Sequence, residues 1–388
     1  MKKLIGILSV VFLMIPFGTT FAQEHSGGDG LIYVHSAKAI GKGYLNTYFN
    51  SRFFGKLGGA GLRVATYWDV QGAFAINYGL TDRLELQLFP VLYQDTNRGG
   101  TGYNIPDDFF LKLKIGSLGD PESPFRFGII ASTRIPTGKT HNIVYESYSA
   151  GTIEAGFTGL MSYFKDVGYP EDNYSFHANL GYIFHNDAGN KLTDSPNDTV
   201  SAKSISTELT YGFGLRYPFD KWDITFEFNG NAFLQKPPVT AFSRENYFYF
   251  TPGVRYKVLR WLNIDFAADL RMTPDKDETK YEFGIGRLPM QLPSTWPDWR
   301  INLAVQVFIL PVSLRQESER DILMKKAASR RELFEQIVRQ QKETEAAEKE
   351  LERIKKERRK AEKELQNLRE LLEGKKKKTE PQKQKPKP

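Results

Sequence analysis

Between residues 43 and 311 apolar and polar side chains alternate with a period of two. The run Leu84-Glu85-Leu86-Gln87-Leu88-Phe89 is one case, and Asp223-Ile224-Thr225-Phe226-Glu227-Phe228-Asn229 is another. Leu262 to Arg271 extends the pattern over a full strand. Alternation puts the apolar set on one face of a sheet and the polar set on the other. The pattern predicts about twelve strands, near 43–54, 66–79, 83–93, 107–116, 124–135, 151–164, 174–185, 203–217, 222–234, 245–257, 261–273 and 298–311. Such strands exceed the usual five or six residues and suffice to cross a bilayer at a tilt.

Connection lengths point the same way. Leu80-Thr81-Asp82, Gly119-Asp120-Pro121, Phe219-Asp220-Lys221 and Val258-Leu259-Arg260 are short, whereas 186–202 and 274–297 are long and rich in Asn, Asp, Gly and Pro. Short and long alternate, as in outer-membrane barrels with short periplasmic turns and long outer loops. The stretch 165–173 is longer than the others of its class. Aromatics gather near strand ends, among them Tyr78, Phe89, Tyr93, Tyr163, Phe164, Tyr182, Phe184, Tyr217, Trp222, Tyr256, Trp261 and Trp299, the arrangement of two interfacial girdles. The expected fold is an all-β, antiparallel, up-and-down transmembrane barrel of about twelve strands. An even count puts both ends of the barrel in the periplasm.

The N-terminus fits a secreted protein. Lys2 and Lys3 precede an apolar stretch from Leu4 to Phe17, and Gly18 to Ala22 offers a small-residue cleavage site. Residues 1–22 read as a signal peptide, and 23–42 as an N-terminal periplasmic segment. The chain has no cysteine, hence no disulfide, thiolate site or acylation cysteine. No later stretch approaches the roughly 18 apolar residues of a membrane helix. The net charge of +7 is unevenly placed. From Arg315 onward there are 24 Lys/Arg and 16 Asp/Glu, which leaves 29 and 30 for the rest. Phe334 is the only aromatic residue beyond that point, so composition and charge both place the barrel at 43–311 and a separate extension after it.

Several strings carry a family likeness. Asp108-Phe109-Phe110-Leu111-Lys112-Leu113-Lys114 is followed by Phe127-Gly128-Ile129-Ile130-Ala131 and Arg134-Ile135-Pro136-Thr137-Gly138. With Asn179-Leu180-Gly181-Tyr182 and Tyr211 to Leu215, they resemble the outer-membrane transporter-like barrels of the phenol-degradation MetA-pathway family over most of 66–311. The resemblance implies passive or facilitated movement of small molecules across the outer membrane. The long C-terminal helix departs from that pattern.

With apolar positions toward lipid, the interior receives the polar ones. The first strand offers Tyr44, Asn46, Tyr48, Asn50 and Arg52; the next strands add Glu85, Gln87, Lys112, Lys114, Arg126 and Arg134. Later strands add Glu154, His177, Glu208, Arg216, Glu227, Arg255, Asp265, Asp269, Arg271 and Arg300. Burying so many charges demands water or partners, so the interior either conducts or is laced by ion pairs. Eight strands are filled by their side chains and sixteen leave a channel; twelve lie between. The mixed signs argue against strong ion selectivity. An enzyme is the rival class. Of the five histidines, only His177 sits at an inward position in this register, and no serine and acid complete a triad around it. Gly138-Lys139-Thr140 lacks the earlier glycine of a phosphate loop, since position 133 is threonine. No metal-ligand spacing is present, so neither catalysis nor a cofactor or metal is expected.

Residues 315–373 contain no Pro and no Gly, which predicts a helix of about 90 Å ending at Gly374. Leu351, Ile354, Ala361, Leu365, Leu368 and Leu372 follow heptad spacing, with Arg358 interrupting. The helix reads either as a coiled-coil stalk, which would make a homo-oligomer, or as a single solvated helix held by i,i+4 pairs. Residues 374–388 are a disordered tail whose cations are Lys375, Lys376, Lys377, Lys378, Lys383, Lys385 and Lys387. In a Gram-negative periplasm these would meet peptidoglycan or an acidic protein rather than nucleic acid. Two functions follow. One is a porin-like or transporter-like barrel seated in outer-membrane lipid. The other is an envelope protein whose barrel anchors the helix.

Overall fold

The computed structural model describes residues 26, 30–58, 65–98, 101–192, 200–280, 294–312 and 319–377. It divides into two units, residues 1–316 and 317–388.

The first unit is a sheet of thirteen antiparallel strands. They are β1 (Leu45–Gly58), β2 (Ala65–Gly79), β3 (Leu84–Asn97), β4 (Thr101–Asn104), β5 (Phe109–Leu118), β6 (Phe125–Ile135), β7 (Glu154–Phe164), β8 (Ser175–Phe184), β9 (Thr207–Pro218), β10 (Trp222–Gln235), β11 (Phe248–Leu259), β12 (Leu262–Arg271) and β13 (Trp299–Leu310). Each strand pairs with its neighbour in sequence except at β4. This four-residue strand folds back on Gln94–Asn97, and β3 pairs onward with β5. β1 pairs with β13 over Leu45–Phe53, which closes a ring of twelve strands with β4 as an extra strand at its rim. The alternation did not show β4, because four residues are too few to establish a period.

The ring is inside out relative to a soluble protein. Leu180, Phe213, Phe266 and Leu303 face outward and are 51–60% exposed, while Glu227, Asp269 and Arg300 are fully buried. Register enforces this. Phe266 lies opposite Leu303 and Asp265 opposite Ala304, so each polar-apolar step moves one residue outward and the next inward. Two aromatics assigned to the girdles point inward instead: Phe89 is 2% and Phe164 6% exposed. Both occupy the phase of the inner face, where they pack against lumen side chains. Among the described residues, no helix is long and apolar enough to cross a membrane.

The second unit is one helix, α1 (Glu319–Lys377), 59 residues long. It runs through Gly374, which the sequence marks as its stop. A glycine inside a helix costs only about 1 kcal/mol. Its central and C-terminal apolar residues, from Leu333 to Leu372, stand in solvent, and Arg331–Glu335, Arg353–Glu357 and Arg358–Glu362 form i,i+4 ion pairs. The side chains of Lys375, Lys376 and Lys377 and all of Lys378, Lys383, Lys385 and Lys387 lie outside what is described, as do residues 1–22, read above as a signal peptide.

Candidate functional site: an occupied lumen

Twelve strands about 4.8 Å apart and tilted about 40° give a backbone radius of about 12 Å. One layer of inward side chains takes about 5 Å on each side, half the spacing of stacked sheets. The remaining bore is wide enough for one extended peptide with small side chains. The protein supplies that peptide itself.

Residues 30–40, within the segment 23–42, lie along the inner wall. Ile32, Tyr33 and Val34 donate their backbone N–H groups to the Glu227 carboxylate of β10 at 2.7, 2.8 and 2.9 Å. His35 exchanges two bonds with the Asn179 amide of β8, its N–H donating at 2.7 Å and its carbonyl accepting at 2.9 Å. Ala37 N–H donates to Ser162 of β7, Ala39 N–H to Ser117 of β5 and Ile40 N–H to Glu85 of β3. Lys114 of β5 donates to the Lys38 carbonyl at 2.7 Å. The segment therefore winds around the inside as a belt, meeting β10, β8, β7, β5 and β3 in turn. Strand glycines make room for it. A Cβ at Gly214 would lie 2.2 Å from Leu31, and one at Gly116 would lie 2.8 Å from the Ala37 carbonyl oxygen. Tyr33 reaches furthest, donating its hydroxyl to Asp269 at 2.5 Å. A void of roughly 20 Å³ between Tyr33–His35 and the β7–β10 wall has room for about one water molecule.

The β6–β7 loop, residues 136–153, closes another part of the lumen. Tyr145 is buried against Phe54 with ring centroids 5.1 Å apart, although its φ of 70° lies in the left-handed region. That conformation costs a tyrosine roughly 1–2 kcal/mol, which the aromatic packing and the bond from Tyr145 N–H to the Thr295 carbonyl offset. Glu146 of the same loop bonds Arg52 on β1 and accepts from Gln71 on β2 at 3.1 Å. Tyr148 donates to Asp187 at 2.8 Å. Gly138-Lys139-Thr140 belongs to this loop, and no helix follows it.

The charged residues chosen from the inner phase are distributed along the wall as ion pairs. Lys114 pairs with Glu85 at 3.3 Å, Arg300 with Asp269 at 3.0 Å, and Arg255 holds Asp265 through two bonds of 2.7 and 2.8 Å. Arg134 bonds Asp108 at 2.5 Å and stands 3.8 Å from Glu154. Lys112 is buried over the Phe89 ring. Arg216 pairs with Glu171 at 2.6 Å and approaches Asp223 at 3.7 Å. Glu171 belongs to the long turn 165–174, so that turn owes its length to folding a carboxylate onto Arg216. His177 is buried between the Ser162 and Ser175 hydroxyls. Arg271 is at the loop end of β12, tied to Asp298 and the Trp296 carbonyl. Arg126 departs from the group. It starts β6 in the inward phase, but its guanidinium curls over the adjoining turn and donates to the Asp120, Pro121 and Phe125 carbonyls.

The acidic partners Asp69, Asp108 and Asp223 were not picked out from the sequence, nor was His185. It lies one residue past β8 in the same phase as His177, 1% exposed, with Glu154 at 3.4 Å and Glu208 at 3.3 Å on its two ring nitrogens. Burial pushes its pKa down, but the Glu154 charge and the bonds to both carboxylates outweigh this and hold it at about 9. Extending the strand's odd-numbered phase by one step would have found it.

A closed ring, an apolar outer band and a charged inner wall together define an outer-membrane β-barrel. No protein-family model and no curated protein matches the chain. Among solved structures it is similar to an outer-membrane channel from Pseudomonas putida F1, at 12% identity and a TM-score of 0.44, over 70% of this chain and 98% of that one. It is also similar to the NanC porin, at 8% identity and a TM-score of 0.42, over 69% and 100%. A third is the toluene transporter TbuX of Ralstonia pickettii, at 12% identity and a TM-score of 0.34, over 69% and 90%.

Proposed function

We propose that this barrel is an outer-membrane transporter for small solutes, closed at rest by its own N-terminal belt. The observation that carries the reading is the way the belt is held. The wall meets its main chain through side chain to backbone hydrogen bonds, from residues spaced over five strands, and these can be exchanged for water one at a time, while Leu31, Ile32, Val34, Ala37 and Ala39 are buried beside them. The mixed charge of the wall suits polar solutes without strong selection by sign.

The test is a reversible lock. The chain has no cysteine of its own. A Cβ at Gly214 would stand 3.4 Å from the Val34 Cβ, close to the separation within a disulfide, with the flexible end of Leu31 giving way. The double variant Val34→Cys, Gly214→Cys in the full mature chain, reconstituted in liposomes, should pass small solutes when reduced and stop when oxidised. Equal passage in both states would refute a role for the belt in gating.

A second reading has one observation in its favour. Helix α1 runs for 59 residues, more than a pore needs, and its described side chains from Leu351 to Leu372 stand in solvent. In that reading the barrel anchors a periplasmic arm that touches peptidoglycan or a partner protein.

A further inference from the structure

We propose that Arg300 of β13, with Asn50 and Arg52 of β1, forms a subsite in the lumen for the carboxylate of a monoanionic solute. The proposal rests on the reading of the lumen as a solute path and names the chemistry of its cargo.

Arg300 is fully buried, yet only part of its guanidinium is used. Its Nε donates to Asp269 at 3.0 Å, and the Tyr249 ring covers one face with its centroid 4.7 Å away. The two terminal nitrogens, Nη1 and Nη2, have no hydrogen-bond partner in the protein. These two form the end of the fork, the edge that takes both oxygens of a carboxylate in parallel. Register brings the companions together. Arg52 lies opposite Asn302, two residues from Arg300 on the same inner face, and Asn50 lies opposite Ala304. Arg52 Nε and both amide atoms of Asn50 are likewise buried and without a hydrogen-bond partner, with Asp69 3.8 Å from Arg52 Nε. Buried donors left bare cost about 1–3 kcal/mol each, more where charged, so this patch is built to receive an acceptor.

The surroundings select among acceptors. Asp69, Glu146 and Asp269 adjoin the two arginines and outnumber them by one charge, so binding rests on the directed bonds of the open fork and each further negative charge is penalised. A monoanion gains two bonds against a single charge repulsion, whereas a phosphate dianion meets twice that repulsion. Glu146 shows how a carboxylate fits, since it reaches in from the β6–β7 loop and bonds the neighbouring Arg52.

The experiment is calorimetric titration of the full mature chain in detergent with sodium propionate, its neutral counterpart propionamide, and inorganic phosphate. Propionate should bind, propionamide and phosphate at least tenfold more weakly, and Arg300→Gln should weaken propionate about tenfold or more. Heat-shifted gel mobility confirms that the variant barrel is folded; if Arg300→Gln does not fold, Asn50→Ala is read instead and should weaken propionate severalfold. Absence of propionate binding, equal binding of propionamide, or binding unchanged in the folded variants would overturn the proposal. Stronger binding of phosphate would overturn the carboxylate assignment. Liposome swelling with glycerol, run in parallel, separates the two readings. Glycerol passage without propionate binding sinks the subsite and leaves the transporter, while propionate binding without passage does the reverse.

Discussion

Glu227→Ala removes the strongest hold on the belt. Three consecutive N–H groups at 2.7–2.9 Å lose a shared carboxylate acceptor. Bonds to a charged acceptor are worth about 1.5–3 kcal/mol net, but one carboxylate serves all three donors here, and its own removal relieves a buried charge. Taking about 1 kcal/mol per donor gives a destabilisation of the belt of about 3 kcal/mol, a population shift of about a hundredfold toward release. The ring itself should hold, because Glu227 faces the lumen and the β9–β10 and β10–β11 ladders are backbone bonds. Hydrogen exchange read by mass spectrometry on the 30–40 segment should accelerate by about two orders of magnitude. Single-channel recordings of the same variant should show open events far more often than wild type. Glu227→Gln, which keeps one acceptor oxygen, should fall between. Unchanged exchange across 30–40 in a variant with normal heat-shifted mobility would refute this account of how the belt is held.

Other outcomes follow from the same geometry. Leu180→Arg puts a charge on the lipid face of β8 and should lower stability in vesicles by about 2–4 kcal/mol if 180 lies near the midplane, read by urea titration. His185 has a folded pKa of about 9, above its unfolded value of 6.5, so the stability it contributes is fully present below pH 6.5 and is lost as pH rises through about 9. Thermal unfolding between pH 6 and 10 should show a loss of roughly 3 kcal/mol that His185→Gln abolishes. A flat profile in the wild type would contradict the two-carboxylate environment. Removing residues 319–388 should leave conductance unchanged if α1 is accessory, and a silent but folded truncation would favour the anchoring reading.

The barrel was legible because its physics is periodic. Leu262 to Arg271 shows the inner and outer face on inspection, and each strand expected from alternation has an observed counterpart within a few residues. Arg255, Asp265, Asp269 and Arg300 could be assigned to the interior on phase alone. What escaped had no period to read. Residues 30–40 make their bonds through backbone groups, and the side chains that receive them are scattered from Glu85 to Glu227. No local window joins those positions. Glu146 lies between strands, where phase stops being informative, and His185 lies one step past a strand whose phase was not carried on. Gly374 misled because a stop signal at a helix end is weak beside the residues flanking it.

The belt's contacts also say what evolution is free to change. Glu227, Asn179, Ser162, Ser117 and Glu85 all address main-chain groups, and only Tyr33 answers with a side-chain hydroxyl. The wall thus recognises the belt by its backbone and also by the fit of its buried side chains, Leu31 and Val34 lying against Gly214 and Gly212. Residues 30–40 can drift wherever small side chains still clear Gly116, Gly212 and Gly214. The lock is written in the strands, and the key must match it in length, in backbone and in the size of its buried side chains.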